Sequence, residues 1–385
     1  MIKIYRTDLS FILNEIADQL DLPDSLHEEA VERYQAVGKW LGEGDSPLII
    51  YSPVIYPQGS FLLGTVTKRW GEKDEYDIDL VFEINLSKNA TSQKRLKKLV
   101  GDRLKESEIY CRMLDEEGRR CWTLVYANEA KFHLDILPAI PNTDFRTVLK
   151  SQGVQSSWAD TSIAITDKTH PNYDRIDPDW PRCNPKGYAA WFHSRMVNQY
   201  EALRKQMAEA MKAEIQAVPD YQIKTPLQKS VQLIKRHRDI MFETKDDKPA
   251  TIVLTTLAAL AYNNEFDLVQ ALTRIVEGMP NYITKKDGKP WVQNPVDPSE
   301  NFADRWQDRA GREQDFWDWH KKIKGDLYAL LECEDIDRIY ELLNPMFGER
   351  VTENAMKRYK DHAQTRIKSI STVVPIRNPN QPWGF

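Results

Sequence analysis

Cysteine is scarce in this chain: there are four in 385 residues, Cys111, Cys121, Cys183 and Cys333, and they stand far apart. No two have the spacing of a zinc site, so no metal-thiolate centre is readable and reduced thiols in a cytoplasmic protein are expected. Long apolar runs are missing too. The most apolar stretch, PATIVLTTLAALAY at 249–262, is too short to span a bilayer, and MIKIYRTDLSFILNEIADQL at the N-terminus carries charges throughout its apolar pattern. A soluble, non-exported protein with no membrane partner is the expectation. An excess of positive charge is also absent, since 53 Lys and Arg against 58 Asp and Glu leave a net charge of −5. That balance argues against a chain-wide nucleic-acid surface, and no obligatory nucleic-acid partner is expected. No internal repeat stands out.

What is present is the composition of a folded, two-lobed protein. The chain is longer than a usual single domain, and 11 Trp and 16 Tyr argue against disorder. The first half is mixed. Leu26, Ala30, Tyr34, Val37 and Leu41 form one helical stripe over 25–42. Residues 76–84 and 130–140 read as strands, RRCWTLVYAN reads as a third with a turn at Asn128, and Ser92 is placed to cap a helix carrying Leu96, Leu99 and Leu104 across the sheet. The Lys and Arg of that helix read as a solvated face. After Pro141 an irregular stretch rich in Pro, Asp and Trp reads as an inter-lobe loop. From Pro185 the pattern is helical, near 185–216, 225–243, 250–262, 266–277, 312–332, 335–344 and 350–367.

The chemistry is concentrated in QGSFLLGTVTKRWGEKDEYDIDLVFEI, residues 58–84. Residues two apart on a strand share a face, so Asp77 and Asp79 project together while Ile78 and Leu80 point the other way. Paired like charges on a half-buried strand are costly unless a cation lies between them. A third acid, Asp135 in FHLDILPAI, interrupts another apolar strand, and an adjacent antiparallel strand would bring it beside the pair. Three carboxylates suit two Mg²⁺ ions, with room left for phosphate oxygens. The small residues of QGS allow backbone amides and the Ser60 hydroxyl to approach a triphosphate. His133, two residues before Asp135, shares its strand face and is read as a buried or stacking residue.

QGSFLLGT, EYDIDLVFEI and FHLDILPAIP together resemble the motifs of the DNA polymerase β-like nucleotidyltransferases. CNPKGYAAWFHSRM, LQKSVQLIKRHRDIMF, KPATIVLTTLAALA and NPVDPSENFADRW narrow the resemblance to the cGAS/DncV-like bacterial cyclic-oligonucleotide synthases, over about residues 50–310. The resemblance implies that Asp77, Asp79 and Asp135 are catalytic and hold two Mg²⁺, or Mn²⁺, with Asp135 helping to activate the attacking ribose hydroxyl. It implies that Gln58, Gly59 and Ser60 contact the donor triphosphate. Lys235 resembles the family's triphosphate lysine, and Thr251 its hydroxyl partner. Lys235 and Arg236 cannot both face one groove, because helix neighbours diverge by about 100°. Thr251 also reads as an N-cap. Asn294 and Asp297 resemble the loop near the acceptor pocket and equally read as a turn, with Asn301 following. Tyr188, Trp191 and Tyr262 fit either stacking on purines or core packing.

The fold class expected is α+β, a bilobal molecule with a polymerase β-like nucleotidyltransferase sheet lobe and a helical second lobe. The expected divisions are 1–160 for the catalytic lobe with N-terminal packing helices, 161–368 for the helical lobe, and 369–385 for a loosely held tail. The resemblance implies synthesis of a cyclic di- or trinucleotide from ATP and/or GTP with release of pyrophosphate, as an antiphage signal to a separate effector. A linear or RNA nucleotidyltransferase would share the acids but usually carries a long basic track, and none is evident. A degenerate nucleotide-binding protein would keep three acids without a metal to compensate them. For the tail, with Pro375, Pro379, Pro382, Trp383 and Phe385, two readings stand: folding back onto the helical lobe, or capture by a ubiquitin-transfer-like partner.

Overall fold

The structure, a computed structural model, describes residues 5–370 except 69, 71–74, 127–130, 213, 218, 246 and 310. Two helices open the chain, α1 (Arg6–Leu20) and α2 (Asp24–Gly42), followed by β1 (Val54–Pro57), a single turn α3 (Gly59–Leu62) and the long β2 (Glu75–Glu83). Then come α4 (Gln93–Glu106), α5 (Glu108–Met113), β3 (Trp122–Val125) and β4 (Lys131–Pro141). The stretch expected as a loop carries α6 (Thr143–Ser151), α7 (Ser156–Ala159), β5 (Ile163–Ile165) and β6 (Arg182–Cys183). Helices α8 (Pro185–Ser194), α9 (Val197–Met211), α10 (Pro226–Met241), α11 (Thr251–Ala261) and α12 (Leu268–Gly278) follow. Short strands β7 (Thr284–Lys286), β8 (Lys289–Trp291), β9 (Gln293–Asn294) and β10 (Asp297–Asn301) precede α13 (Arg312–Glu332), α14 (Ile336–Phe347) and α15 (Glu349–Ile370).

The sheet runs β1-β2-β4-β5-β6, with β3 also pairing β4. β2 and β4 are parallel, not antiparallel as the sequence suggested. Parallel neighbours need a crossover, and α4 supplies it. Ser92 caps α4 by accepting from the Arg95 amide at 3.2 Å, and Leu96, Val100 and Leu104 press onto the sheet. The basic residues of α4 are not all solvated: Lys97 is buried and donates to the carbonyls of Gly118 and Arg119, while the Arg103 guanidinium bonds Asp45 and Glu106.

The two largest cores divide the chain differently from the expected boundary at 160. The even residues of β2, from Tyr76 to Phe82, join Phe132, Leu134 and Ile136 of β4 and the buried side of α2. The sheet continues past 160 through β5 and β6, where Ala139 pairs with Ile165 and Ile163 with Cys183. Helix α1 belongs to the other core, because its stripe of Leu9, Ile12, Leu13, Ile16, Ala17 and Leu20 packs on α10, α12 and α15. Tyr188, Trp191 and Tyr262 are buried in that helical core, and the Tyr188 hydroxyl is bonded to Thr256 at 2.8 Å. α15 runs two residues into the stretch assigned to the tail. The turn at Asn128 and residues 371–385, with Pro375, Pro379, Pro382, Trp383 and Phe385, lie outside the described residues. Among the described residues no helix is long and apolar enough to cross a membrane.

Candidate active site

The parallel register fixes the acids. Asp77 lies beside His133 and Asp79 beside Asp135, so all four residues emerge on the sheet face away from α2 and α4. On the far edge of β4, β3 brings Thr123 opposite Asp135, and the Thr123 hydroxyl donates to Asp135 Oδ1 at 2.5 Å. On the near edge of β2, the Gln58 amide donates to the Asp79 carbonyl at 2.8 Å, extending the β1 ladder by one bond before the chain turns into α3. The next residue is Gly59, at φ +60°. A Cβ there would lie 2.5 Å from Asp79 Oδ2, so the position excludes any side chain on two counts, backbone conformation and space. Ser60 follows on the cleft wall.

Burial, then the neighbouring charges of Asp135 and Asp77, pushes the Asp79 carboxyl up to about 6, with Lys235 pulling the other way. As they stand, among the described residues no three His, Cys, Asp or Glu side chains close on one point as a metal would require. Asp135 leans to Thr123, and Asp79 lies against Gly59. The donor set nevertheless fits a hard divalent ion: it offers carboxylate oxygens only, on one face, with a glycine leaving space beside them.

A cleft of about 430 Å³ separates this face from the helical lobe. Its lining includes Gly59, Ser60, Asp77 and Asp79 on one side and Lys235, Arg238, Asp239, Lys248 and Thr251 on the other. Lys235 donates to the Thr65 carbonyl at 2.8 Å, and burial, followed by repulsion from Arg238, pushes its ammonium down to about 7. Arg236 turns elsewhere, to the Lys68 carbonyl at 2.8 Å and the Trp70 ring. Thr251 opens α11 but does not cap it; Ala250 holds the cap position, and the Thr251 hydroxyl accepts from Arg238 Nη1 at 2.8 Å.

Asn294 and Asp297 are buried and not among the cleft-lining residues. Asn294 donates to Glu300 at 2.6 Å and accepts from the Val296 amide at 2.9 Å. Asp297 accepts from the Ser299 amide and hydroxyl at 3.1 and 2.6 Å, so both side chains are engaged within the β9–β10 turn. Asn301 likewise accepts from the Val292 and Ala303 amides. Sequence reasoning missed Arg238, Asp239 and Lys248. Arg238 was findable, since it lies three residues after Lys235 and therefore on its helix face. A larger cavity, about 540 Å³, opens behind α3 between His27, Phe61, Phe192 and Tyr221, and takes no acid from β2 or β4.

Residues 53–138 match the family model described as cyclic GMP-AMP synthase DncV-like, nucleotidyltransferase domain. A c-di-GMP synthase from Roseivirga ehrenbergii is 32% identical over 356 residues, covering 91% of this chain and 87% of its own. The chain belongs to the DncV-like nucleotidyltransferases. It is an enzyme of the cyclic dinucleotide synthase kind. CdnG from Bradyrhizobium diazoefficiens, solved in complex with GTP, is 25% identical with a TM-score of 0.70, covering 91% of this chain and 99% of that one. A Vibrio cholerae dinucleotide cyclase solved with ATP and GTP shares the fold, at 14% identity and a TM-score of 0.57 over 92% of this chain and 99% of its own. DncV-like nucleotidyltransferases generally use divalent metal ions.

Proposed function

We propose that this enzyme condenses two molecules of GTP into cyclic di-GMP, releasing two pyrophosphates. The observation that carries the reading is the match to a c-di-GMP synthase over 91% of the chain together with an unbroken trio of acids on adjacent strands. Asp77, Asp79 and Asp135 would hold two Mg²⁺ ions, for which Mn²⁺ can stand in. When bound, these supply Lewis-acid neutralisation of charge on the reacting phosphate.

The chain's own groups do the rest. Gln58, Gly59, Ser60, Lys235 and Thr251 grip the donor triphosphate and hold its α-phosphorus in line with the acceptor ribose hydroxyl. As the new O–P bond forms and the α–β bridge breaks, Asp135 takes the hydroxyl proton and pyrophosphate leaves. The linear intermediate then offers its other end to the same acids, and a second transfer closes the ring. Asn294 and Asp297 stiffen the turn beside the acceptor nucleotide. The setting suggested by the family is the cytoplasm and antiphage signalling, with the product acting on a separate effector. Capture of the segment 371–385 by a ubiquitin-transfer-like partner belongs to the same reading and rests on sequence alone.

Incubation of the purified chain with all four NTPs and Mg²⁺, followed by mass spectrometry, tests the proposal. Cyclic di-GMP as the main product is expected. A cyclic product with another base corrects the substrate, and linear oligonucleotides alone would overturn the cyclisation.

A further inference from the structure

The link between α10 and α11 forms part of the cleft rim and is tethered by ion pairs from two sides. Toward α13, Lys245 pairs with Asp315 at 3.1 Å, and Asp247 pairs with Arg312 at 3.0 Å and with Arg309. Toward α10, Lys248 Nζ lies 2.6 Å from Asp239 Oδ1. Lys248 differs from the other cations of the cleft. Its side chain is 45% exposed, whereas that of Arg238 is 4% exposed and Lys235 is buried.

Asp239 does not depend on Lys248. Arg238 holds the same carboxylate oxygen through Nε and Nη2 at 3.0 and 2.7 Å, so withdrawal of the lysine would not strand a buried charge. Burial alone would lift the Asp239 carboxyl, but Arg238 and Lys248 outweigh it and hold it below the usual carboxylate range. Lysine suits a moving role, being a compact charge on a flexible stem, while the fork of Arg238 is fixed by its bonds to Asp239, Thr251 and the Pro249 carbonyl. In the opposite wall the Thr65 hydroxyl is buried with no hydrogen-bond partner among the described residues, next to the carbonyl that Lys235 engages, so the cleft presents polar groups from both sides.

We propose that Lys248 is a swinging cation of the donor site. Without nucleotide it rests on Asp239. When a nucleoside triphosphate binds, it transfers to the terminal phosphate oxygens, and Arg238 alone keeps Asp239 compensated. The enzyme thereby senses the length of the phosphate chain, since a diphosphate or monophosphate gives the lysine nothing better than the carboxylate it leaves. The inference rests on the donor site proposed above.

The test is equilibrium binding to the full chain, with Mg²⁺, of a GTP analogue whose α–β bridge cannot be cleaved, alongside GDP and GMP. Lys248→Ala should weaken the triphosphate about 10-fold, the size of one charge-assisted hydrogen bond, and GMP by less than about 2-fold. Lys248→Arg should recover most of the loss. Asp239→Asn, which frees the lysine, should leave triphosphate binding as tight as in the wild type or tighter. Equal losses for all three nucleotides, or an Asp239→Asn variant reproducing the Lys248→Ala pattern, would make Lys248 a structural partner of Asp239 and overturn the proposal. Failure of the donor site itself reads differently, because Ser60→Ala and Lys235→Ala would then also leave the triphosphate affinity unchanged.

Discussion

On the sheet wall of the cleft, Asp77 and Asp79 stand on short side chains set by the ladder of two adjacent strands, with Asp135 beside Asp79 on the next strand but not among the cleft-lining residues, whereas on the helical wall Lys235, Arg238 and Lys248 reach inward on long ones. The sheet wall holds an excess of negative charge and the helical wall an excess of positive charge, and each partly relieves the other: Lys235 lowers the Asp79 carboxyl, and Asp79 raises the Lys235 ammonium. The contrast separates two tasks. Reacting atoms must be placed to a fraction of an ångström, which a strand register does, while a triphosphate entering from solvent meets two anchored cations, Lys235 and Arg238, and in Lys248 one exposed enough to adjust.

The sharpest way to break the comparison is Gly59→Ala. The new methyl would meet Asp79 Oδ2 at 2.5 Å, and synthesis should fall by about 100-fold, the effect of displacing a reacting group by about an ångström. Gly44→Ala is the control, because Gly44 also has positive φ, +65°, but nothing within 4 Å. Gly44→Ala should lose roughly 1–2 kcal/mol of stability in a melt and Gly59→Ala at least as much, and only Gly59→Ala should lose activity. Equal turnover in the two would remove the rigid sheet wall from the account.

On the helical wall the effect is smaller and falls on a different constant. Lys235→Ala should raise KM about 10-fold and change kcat less, since the lysine grips phosphate in the ground and transition states alike. A pure kcat defect in steady-state kinetics would move Lys235 to the reacting centre.

The two walls should also titrate in opposite senses. Asp79 in the folded protein sits at about 6 against an ordinary 3.8, so between those values the folded chain binds more protons, and metal-free stability falls as pH rises. Lys235 sits at about 7 against an ordinary 10.5, so over that window the unfolded chain binds more protons, and stability rises with pH. Denaturant melts should show the first slope vanish in Asp79→Asn and the second in Lys235→Met, each by on the order of a few kcal/mol across its window. Slopes unchanged in the variants would assign them to other groups.

Thr123→Val gives the smallest change. It removes the hydroxyl that donates to Asp135 and should cost about 0.5–1.5 kcal/mol in stability with a few-fold slower turnover. Wild-type stability would mean that the bond has no net value.

The shared face of Asp77 and Asp79 was legible because strand alternation is local and has a period of two, whereas Asp135 joins it only through the register that sets it beside Asp79. The direction of pairing was misjudged although its signal was present, since the helix read between β2 and β4 is the crossover that parallel neighbours need, and the antiparallel neighbour of β4 is β3. Helix α1 misled for a related reason, because its apolar stripe declares a buried face without naming which core buries it. β5 and β6 were hidden by length, three and two residues being too few for a periodic signal. Lys248 opens the run KPATIVLTTLAALA, but nothing local to it names a role; only the packing of its loop against α10 brings it beside Asp239.

The most direct test of the account is the double substitution Asp77→Asn with Asp79→Asn, assayed with GTP and Mg²⁺ by mass spectrometry of the products and by a melt without metal. No cyclic dinucleotide should form, and the metal-free melting temperature should hold or rise, relief of like-charge repulsion contributing up to about 1 kcal/mol. Near-normal synthesis by the folded double variant would contradict the assignment of the chemistry to these acids.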